Sequence, residues 1–161
     1  AVDCLNKGKG RAAQKEIEAS EIWPENLGVG KPFDRYNDTR LENYLAAEAQ
    51  EKLGDKEKAI AFYRKVTDYK SDATYFKSAD LLNALSLKAL GKQQEADALV
   101  KTWAKYGDDI MARCCTAIYQ GDAAKAKIWL DAYKSPSEVA PWESSHRDSD
   151  FELVMDLFTK K

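Results

Sequence analysis

The chain has 161 residues, of which 44% are hydrophobic and 32% charged, and its 25 basic and 27 acidic side chains leave a net charge of −2. That length is enough for one domain with a sizeable core, or for a few stacked repeats that share one core. The sequence excludes a transmembrane segment, because no apolar run approaches bilayer length, and it excludes a nucleic-acid binder, because Lys and Arg form no clustered stripe.

A Gly followed five residues later by Ala recurs four times along the chain, and a larger residue follows each Ala by four positions. These offsets place the small and the large side chain on one face of a helix. The spacings between the glycines are 46, 37 and 30 residues, which scatter around the period of helical-hairpin repeats. The four sets are Gly8, Ala13 and Ile17; Gly54, Ala59 and Tyr63; Gly91, Ala96 and Val100; and Gly121, Ala126 and Leu130.

On these residues the chain resembles the tetratricopeptide repeat family, in which each repeat is a pair of antiparallel helices, A and B, joined by a tight turn at the glycine. The turn needs glycine because the chain leaves helix A through a conformation that a β-carbon disfavours. The resemblance implies an all-α fold, a right-handed superhelix of about three hairpins with a truncated N-terminal hairpin and a C-terminal capping helix. The Leu-Gly pair usual in helix A is absent, since Ala46-Ala47, Asn83-Ala84 and Arg113-Cys114 occupy its place.

We therefore expect a single domain over residues 1–161. Its parts are a truncated hairpin at 1–23, a Pro/Gly-rich connector at 24–37, hairpins at 38–69, 73–106 and 108–134, and a breaker with a capping helix at 135–161.

The first hairpin is short, because a turn at Gly8 leaves a helix A of only Ala1 to about Lys7, although Gly10 competes for the turn. The second helix of this hairpin, from about Arg11 to Trp23, would direct its apolar face toward a first helix that is mostly missing. A solenoid buries the apolar face of each repeat on its neighbour. We therefore expect that the chain was excised from a longer protein with more repeats upstream.

The connector begins with Trp23-Pro24-Glu25-Asn26-Leu27-Gly28-Val29-Gly30-Lys31-Pro32, which cannot form a continuous helix or a central strand. This run also resembles the C-terminal helical region of large bacterial proteins with a β-rich front domain of unknown function, which are often associated with carbohydrate use. A phosphate-binding loop is disfavoured because no Lys-Ser/Thr pair follows the glycines and no strand precedes them.

The following helices are expected at about 38–53, 56–69, 73–90, 93–106, 108–120 and 123–134. Asn37, Asp38 or Thr39 would cap the first of these. The tail ends in a short helix with an apolar stripe of Phe151, Val154, Met155 and Phe158. Such a stripe is typical of a helix that covers the last hairpin, and a partner-binding amphipathic helix is the alternative.

The three cysteines favour free thiols. Cys114 and Cys115 are adjacent and point about 100° apart on a helix, so they cannot easily bridge each other, while a bridge from Cys4 to either stays open. Free thiols favour a reducing, cytoplasmic compartment. A periplasmic location stays open if a signal peptide has been removed.

No residue pattern predicts a catalytic centre, a metal site or a cofactor. His146, the single histidine, lies with Ser144 and Asp148 in one polar loop rather than on separate rigid elements. The cysteines lack the Cys-x-x-Cys spacing of zinc sites, and Cys115 has no nearby base. The carboxylate pairs Glu16 with Glu18 and Asp108 with Asp109 have no apolar surroundings that would raise a pKa.

The family resemblance implies a partner-binding groove along one face of each helix A. Its apolar floor with a few charges suits an extended or helical segment, and burial against a neighbouring part of the same polypeptide is the alternative. A carboxylate clamp of the family is disfavoured, because Leu45, Leu82 and Ala112 stand at its asparagine positions. The implied groove residues are Leu41, Tyr44, Leu45, Glu48, Glu51, Ser78, Leu81, Leu82, Leu85, Lys88, Asp108, Met111, Cys115 and Ile118.

These features predict a non-catalytic protein-interaction or scaffolding module within a larger bacterial protein. Its partner would be a protein or peptide segment, including the upstream part of the same polypeptide, and neither nucleic acid nor membrane. The alternative is a helical accessory or dimerisation domain of a carbohydrate-related enzyme whose catalytic part lies upstream.

Overall fold

The computed structural model describes residues 1–20, 38–71, 74–134 and 148–160, and within these ranges the chain forms helices and no strand. The expected all-α class is confirmed for this part of the chain. The predicted connector at 24–37, the breaker at 135–147 and His146 lie outside it. The helices are α1 (Val2–Asn6), α2 (Gly10–Ser20), α3 (Arg40–Leu53), α4 (Lys56–Asp68), α5 (Ala79–Ala89), α6 (Gln93–Thr102), a 3₁₀ helix (Trp103–Tyr106), α7 (Ile110–Tyr119), α8 (Ala123–Lys134) and α9 (Phe151–Thr159).

The four turn glycines predicted from the repeat are confirmed. Gly8, Gly54, Gly91 and Gly121 have φ values of +70°, +81°, +75° and +76°. At each turn the glycine N–H donates to the carbonyl three residues back, and the next N–H donates to the carbonyl five residues before itself. This pair of bonds satisfies the last carbonyls of the preceding helix.

The alanines five residues after these glycines are confirmed as packing positions. Ala13, Ala96 and Ala126 are completely buried and Ala59 is 2% exposed. A methyl side chain at this point lets the two helices of a hairpin approach closely. The larger residues four positions later follow the same pattern, since Ile17, Tyr63 and Leu130 are buried and Val100 is half-buried.

The chain divides into two compact units, residues 1–71 and 72–161. In the first unit α3 and α4 form a hairpin, and α2 packs against α3. A β-carbon on Gly10 would lie 3.0 Å from the Lys52 β-carbon and 3.1 Å from the Ala49 carbonyl oxygen. The turn forms at Gly8 and not at Gly10. Gly10 instead permits the close approach of α2 to α3, because it has no side chain to fill the gap. Thr39 is the residue before α3, and its side chain makes no capping bond.

In the second unit α5 pairs with α6, α7 pairs with α8, and α9 contacts α8. The α5 helix begins at Ala79 rather than at about Ala73 as predicted. The Phe76 ring is completely buried, with its centroid 5.3 Å from that of Trp103 and 5.7 Å from that of Tyr106. The backbone N–H and the hydroxyl of Ser78 donate to the Asp148 carboxylate at 2.6 and 2.5 Å. These tertiary contacts replace the first turns of the expected helix.

The α9 stripe is buried at Phe151, Val154 and Met155 and half-buried at Phe158. The Met155 sulfur lies 3.2 Å from the Cys114 sulfur on α7. All three cysteines are free thiols, which confirms the expectation from their number and spacing. Across the described ranges, no helix has the length and apolar character that a bilayer crossing requires.

Candidate functional site

The residues predicted to line a groove differ widely in accessibility. In the first unit Leu41, Tyr44 and Leu45 are buried, Glu48 is half-buried and Glu51 is exposed. In the second unit Ser78, Leu81, Leu82 and Cys115 are completely buried, Leu85, Met111 and Ile118 are half-buried, and Asp108 and Lys88 are exposed. A partner could therefore contact only the accessible members of the predicted groove residues. Their role in binding stays a prediction.

Two accessible members of this set take part in polar contacts between helices. Glu48 accepts a hydrogen bond from the Tyr63 hydroxyl at 3.1 Å, and the Lys88 ammonium lies 5.3 Å from the centre of the Tyr119 ring. The Tyr119 hydroxyl donates to Asp97 at 2.6 Å, so α6 and α7 are tied together. Desolvation and this acceptor raise the pKa of Tyr119 to about 12, and the same bond lowers the pKa of Asp97.

The two adjacent cysteines are poorly suited to nucleophilic chemistry. Burial raises the pKa of the Cys114 thiol to about 11 and that of the Cys115 thiol well above its ordinary value. Both are therefore protonated at neutral pH, whereas the thiolate is the reactive form. Within the described ranges, no group of three His, Cys, Asp or Glu residues could hold a metal ion.

A cavity of about 480 Å³ lies within the second unit. It is formed by the end of α6, the 3₁₀ helix, α7 and α8, so it sits between two consecutive hairpins. We call it the aromatic–basic pocket after its side chains. Its lining residues are Val100, Lys101, Trp103, Ala104, Tyr106, Gly107, Ala112, Arg113, Thr116, Ala117, Gln120, Lys125 and Trp129.

The pocket and the predicted groove use opposite faces of α7. Successive residues turn by about 100° around a helix axis. Met111, Cys115 and Ile118 therefore share one face, and Arg113, Thr116 and Gln120 share the opposite one. Only the second of these faces lines the pocket.

Arg113 is the best-defined polar group of the pocket. Its Nε donates to the Gly107 carbonyl at 2.5 Å, one Nη donates to Asp108 at 3.0 Å, and the guanidinium lies 5.0 Å from the centre of the Trp129 ring. The side chain is still 40% exposed. The contacts hold the planar guanidinium in one orientation while leaving further N–H donors directed to solvent or ligand.

The pocket is rich in donors and positive charge. Of its described lining residues, Lys101, Arg113 and Lys125 are cationic and none is acidic. The Trp129 indole N–H is shielded from water and has no acceptor among the described residues. A buried donor without an acceptor is uncommon, and it costs about 1–3 kcal/mol relative to a satisfied one. The two lysines and the exposed part of Arg113 can contact a negatively charged group beside the aromatic rings, whereas the shielded Trp129 N–H is closed to a ligand in this conformation.

Sequence reasoning did not identify this pocket. Two local signals point to it. Arg113 is the single charged residue of α7, which makes it conspicuous on an otherwise apolar or neutral helix. Lys125 and Trp129 are four residues apart on α8 and so share one face.

No protein-family model, curated protein or solved structure matches this chain.

Proposed function

We propose that this chain is a non-catalytic protein-interaction module, built from tetratricopeptide-like helical hairpins stacked in a right-handed solenoid. The four turns share the same backbone hydrogen bonds and are each followed by a buried alanine, which supports the interpretation that the hairpins are repeats of one unit. They describe one local unit used four times, which is the pattern of repeat proteins.

The observation that carries the binding role is the aromatic–basic pocket. It combines Trp103, Tyr106 and Trp129 with three cations on a rigid helical frame. Aromatic residues and Arg are the residue types enriched at the energetic centres of protein interfaces. The burial and raised pKa of Cys114 and Cys115 argue against covalent catalysis by either thiol.

The test is to find partners by affinity purification with the full chain and then to measure binding of each purified partner by calorimetry. A photo-crosslinking residue at Met111 reports on the predicted groove face of α7, and one at Thr116 reports on the pocket face. We expect saturable binding and a crosslink from one of these two faces. Absence of saturable binding by every purified candidate, or crosslinks from neither face, would contradict the proposal.

A further inference from the structure

We propose that the aromatic–basic pocket binds a short acidic segment of a partner protein, with one aromatic or large apolar side chain set between carboxylates. This inference rests on the proposed interaction function and specifies the chemistry of its partner. It assigns the binding to the α6–α8 side of the second unit rather than to the predicted groove face.

The size of the cavity fits such a segment. A volume of about 480 Å³ lies within the range of roughly 300–1,000 Å³ that is typical of specific binding pockets. Tyr106 and Trp129 are half-buried and provide the accessible aromatic surface, while Trp103, Ala112 and Ala117 are buried and form the floor. An aromatic side chain inserted here would pack against rings and methyl groups, where burial is most favourable.

The charge of the pocket indicates which residues of the partner segment should flank the inserted side chain. The whole chain carries a net charge of −2, yet the described lining contains three cations and no carboxylate. Asp108, next to the lining residue Gly107, pairs with Arg113, so the local excess is two positive charges. This local excess is opposite in sign to the chain as a whole. Complementary charge accelerates encounter and disfavours partners of the same sign. A basic segment would therefore be rejected, and an acidic one attracted.

Arg113 supplies the specific contact. Gly107 and Asp108 fix the guanidinium on the Trp129 ring, so little further ordering is needed when a ligand binds. A carboxylate can accept two parallel N–H bonds from one guanidinium, a geometry that an ammonium cannot reproduce. Lys101 and Lys125 add positive charge with less directional constraint.

The experiment measures binding of fluorescent pentapeptides to the full chain by anisotropy. The probe is Ac-DEFDE-NH2, and its controls are Ac-NQFNQ-NH2 without charge, Ac-DEADE-NH2 without the ring, and Ac-KKFKK-NH2 with reversed charge. We expect saturable binding of the probe, at least tenfold weaker binding of each control, and an affinity for the probe that falls with added salt.

The protein variants form a matched pair on one helix. Lys125→Gln removes a charge that lines the pocket, and Lys127→Gln removes an exposed charge two residues away that does not. We expect severalfold weaker probe binding only for Lys125→Gln. Arg113→Gln should weaken binding at least tenfold and Arg113→Lys by an intermediate factor. Circular dichroism checks each fold, and Lys125→Gln remains informative if the Arg113 variants fail to fold.

Four outcomes would overturn the inference. The first is equal probe binding by Lys125→Gln and Lys127→Gln, and the second is equal binding of the neutral or basic peptide. The third is a protein partner that binds the chain while the probe neither binds nor competes. This last result would leave the proposed interaction function standing and reject only the acidic-segment chemistry. Displacement of the probe by inorganic phosphate or a thymidine decamer at lower concentration than the free peptide would also reject it.

Discussion

At the scale of single residues, the glycines at helix ends differ in backbone conformation. Gly54 ends α3 with φ +81° and ψ +6°, whereas Gly107 follows the 3₁₀ helix with φ −48° and ψ −30°. A β-carbon would meet nothing within 4 Å at Gly54 and would make an ordinary 3.5 Å contact at Gly107. Space is therefore available at both sites, and only the sign of φ distinguishes them.

The first prediction uses this difference. Gly54→Ala should lower the free energy of unfolding by about 1 kcal/mol, because an L-residue is strained in the left-handed region. Gly107→Ala should raise it by about 0.4–1 kcal/mol, because alanine restricts the unfolded chain without straining the folded one. Urea unfolding of both variants provides the measurement. Changes of the same sign at the two positions would contradict this account of the turns.

Tyr119 and Asp97 give a prediction about alkaline pH. The pKa of Tyr119 is raised from 10.0 to about 12 by desolvation first and by Asp97 second. The folded state therefore holds the phenolic proton more tightly than the unfolded state. This contribution to stability is fully present below pH 10 and is lost as pH rises from 10 to 12.

The measurement is the near-ultraviolet absorbance of phenolate, compared between the wild-type chain and Tyr119→Phe. The difference should have a midpoint near pH 12, and Asp97→Asn should move that midpoint downward without bringing it to the ordinary value, because the desolvation persists. Circular dichroism at each pH identifies the range in which the chain is folded. A midpoint near pH 10 in folded protein would show that Asp97 and burial do not act on Tyr119 as the structure indicates.

At the scale of elements, each helical hairpin depends on a small side chain at the point of closest approach. Ala96 and Ala98 lie on α6, yet Ala96 is completely buried and Ala98 is exposed. Ala96→Leu should destabilise the chain by about 1–3 kcal/mol because the added carbons have no room. Ala98→Leu should change stability by no more than about 0.5 kcal/mol. Thermal or urea unfolding gives both values, and similar effects at the two sites would exclude close helix packing at Ala96.

The ends of the helices show where sequence patterns are no longer sufficient to predict the structure. The turn glycines and their alanines are fixed by local geometry, so their positions could be predicted from spacing alone. The start of α5 could not, because Phe76 packs against Trp103 and Tyr106 and Ser78 bonds to Asp148, seventy residues further along the chain. Thr74, Tyr75 and Phe76 have weak helix propensity, and these tertiary contacts hold the segment outside the helix.

The same limit applies to the candidate site. A family resemblance places Met111 and Cys115 on a partner-facing surface, but Cys115 is completely buried. The pocket on the other face of α7 exists because Arg113 reaches the Gly107 carbonyl and the Trp129 ring. Arg113 and these two partners come from three separate parts of the chain, namely α7, the end of the 3₁₀ helix and α8. Periodicity assigns a side chain to a face, and it does not determine which neighbouring helix that face meets.

At the scale of the whole molecule, the three cysteines provide internal probes of opening. Cys4 belongs to the first unit and is half-buried, while Cys114 and Cys115 are buried in the second. A thiol reagent should therefore modify Cys4 in the folded chain faster than the buried pair, at a rate limited by the hydrogen bond to Glu16, which raises the pKa of the Cys4 thiol. Cys114 and Cys115 should react only when the surrounding helices open. When the chain is denatured in the absence of added reductant, three thiols should react with the reagent.

We expect the helix α9 to control the reactivity of that buried pair. Met155 is completely buried and its sulfur lies 3.2 Å from that of Cys114, whereas Leu153 on the same helix is 48% exposed. Met155→Ala should cost about 2–5 kcal/mol and speed labelling of Cys114 and Cys115 by about 30-fold or more, because opening becomes more frequent. Leu153→Ala should change that rate by less than about threefold, and neither variant should alter labelling of Cys4. Equal acceleration by both variants would mean that the opening that exposes the two thiols does not depend on the buried side of α9.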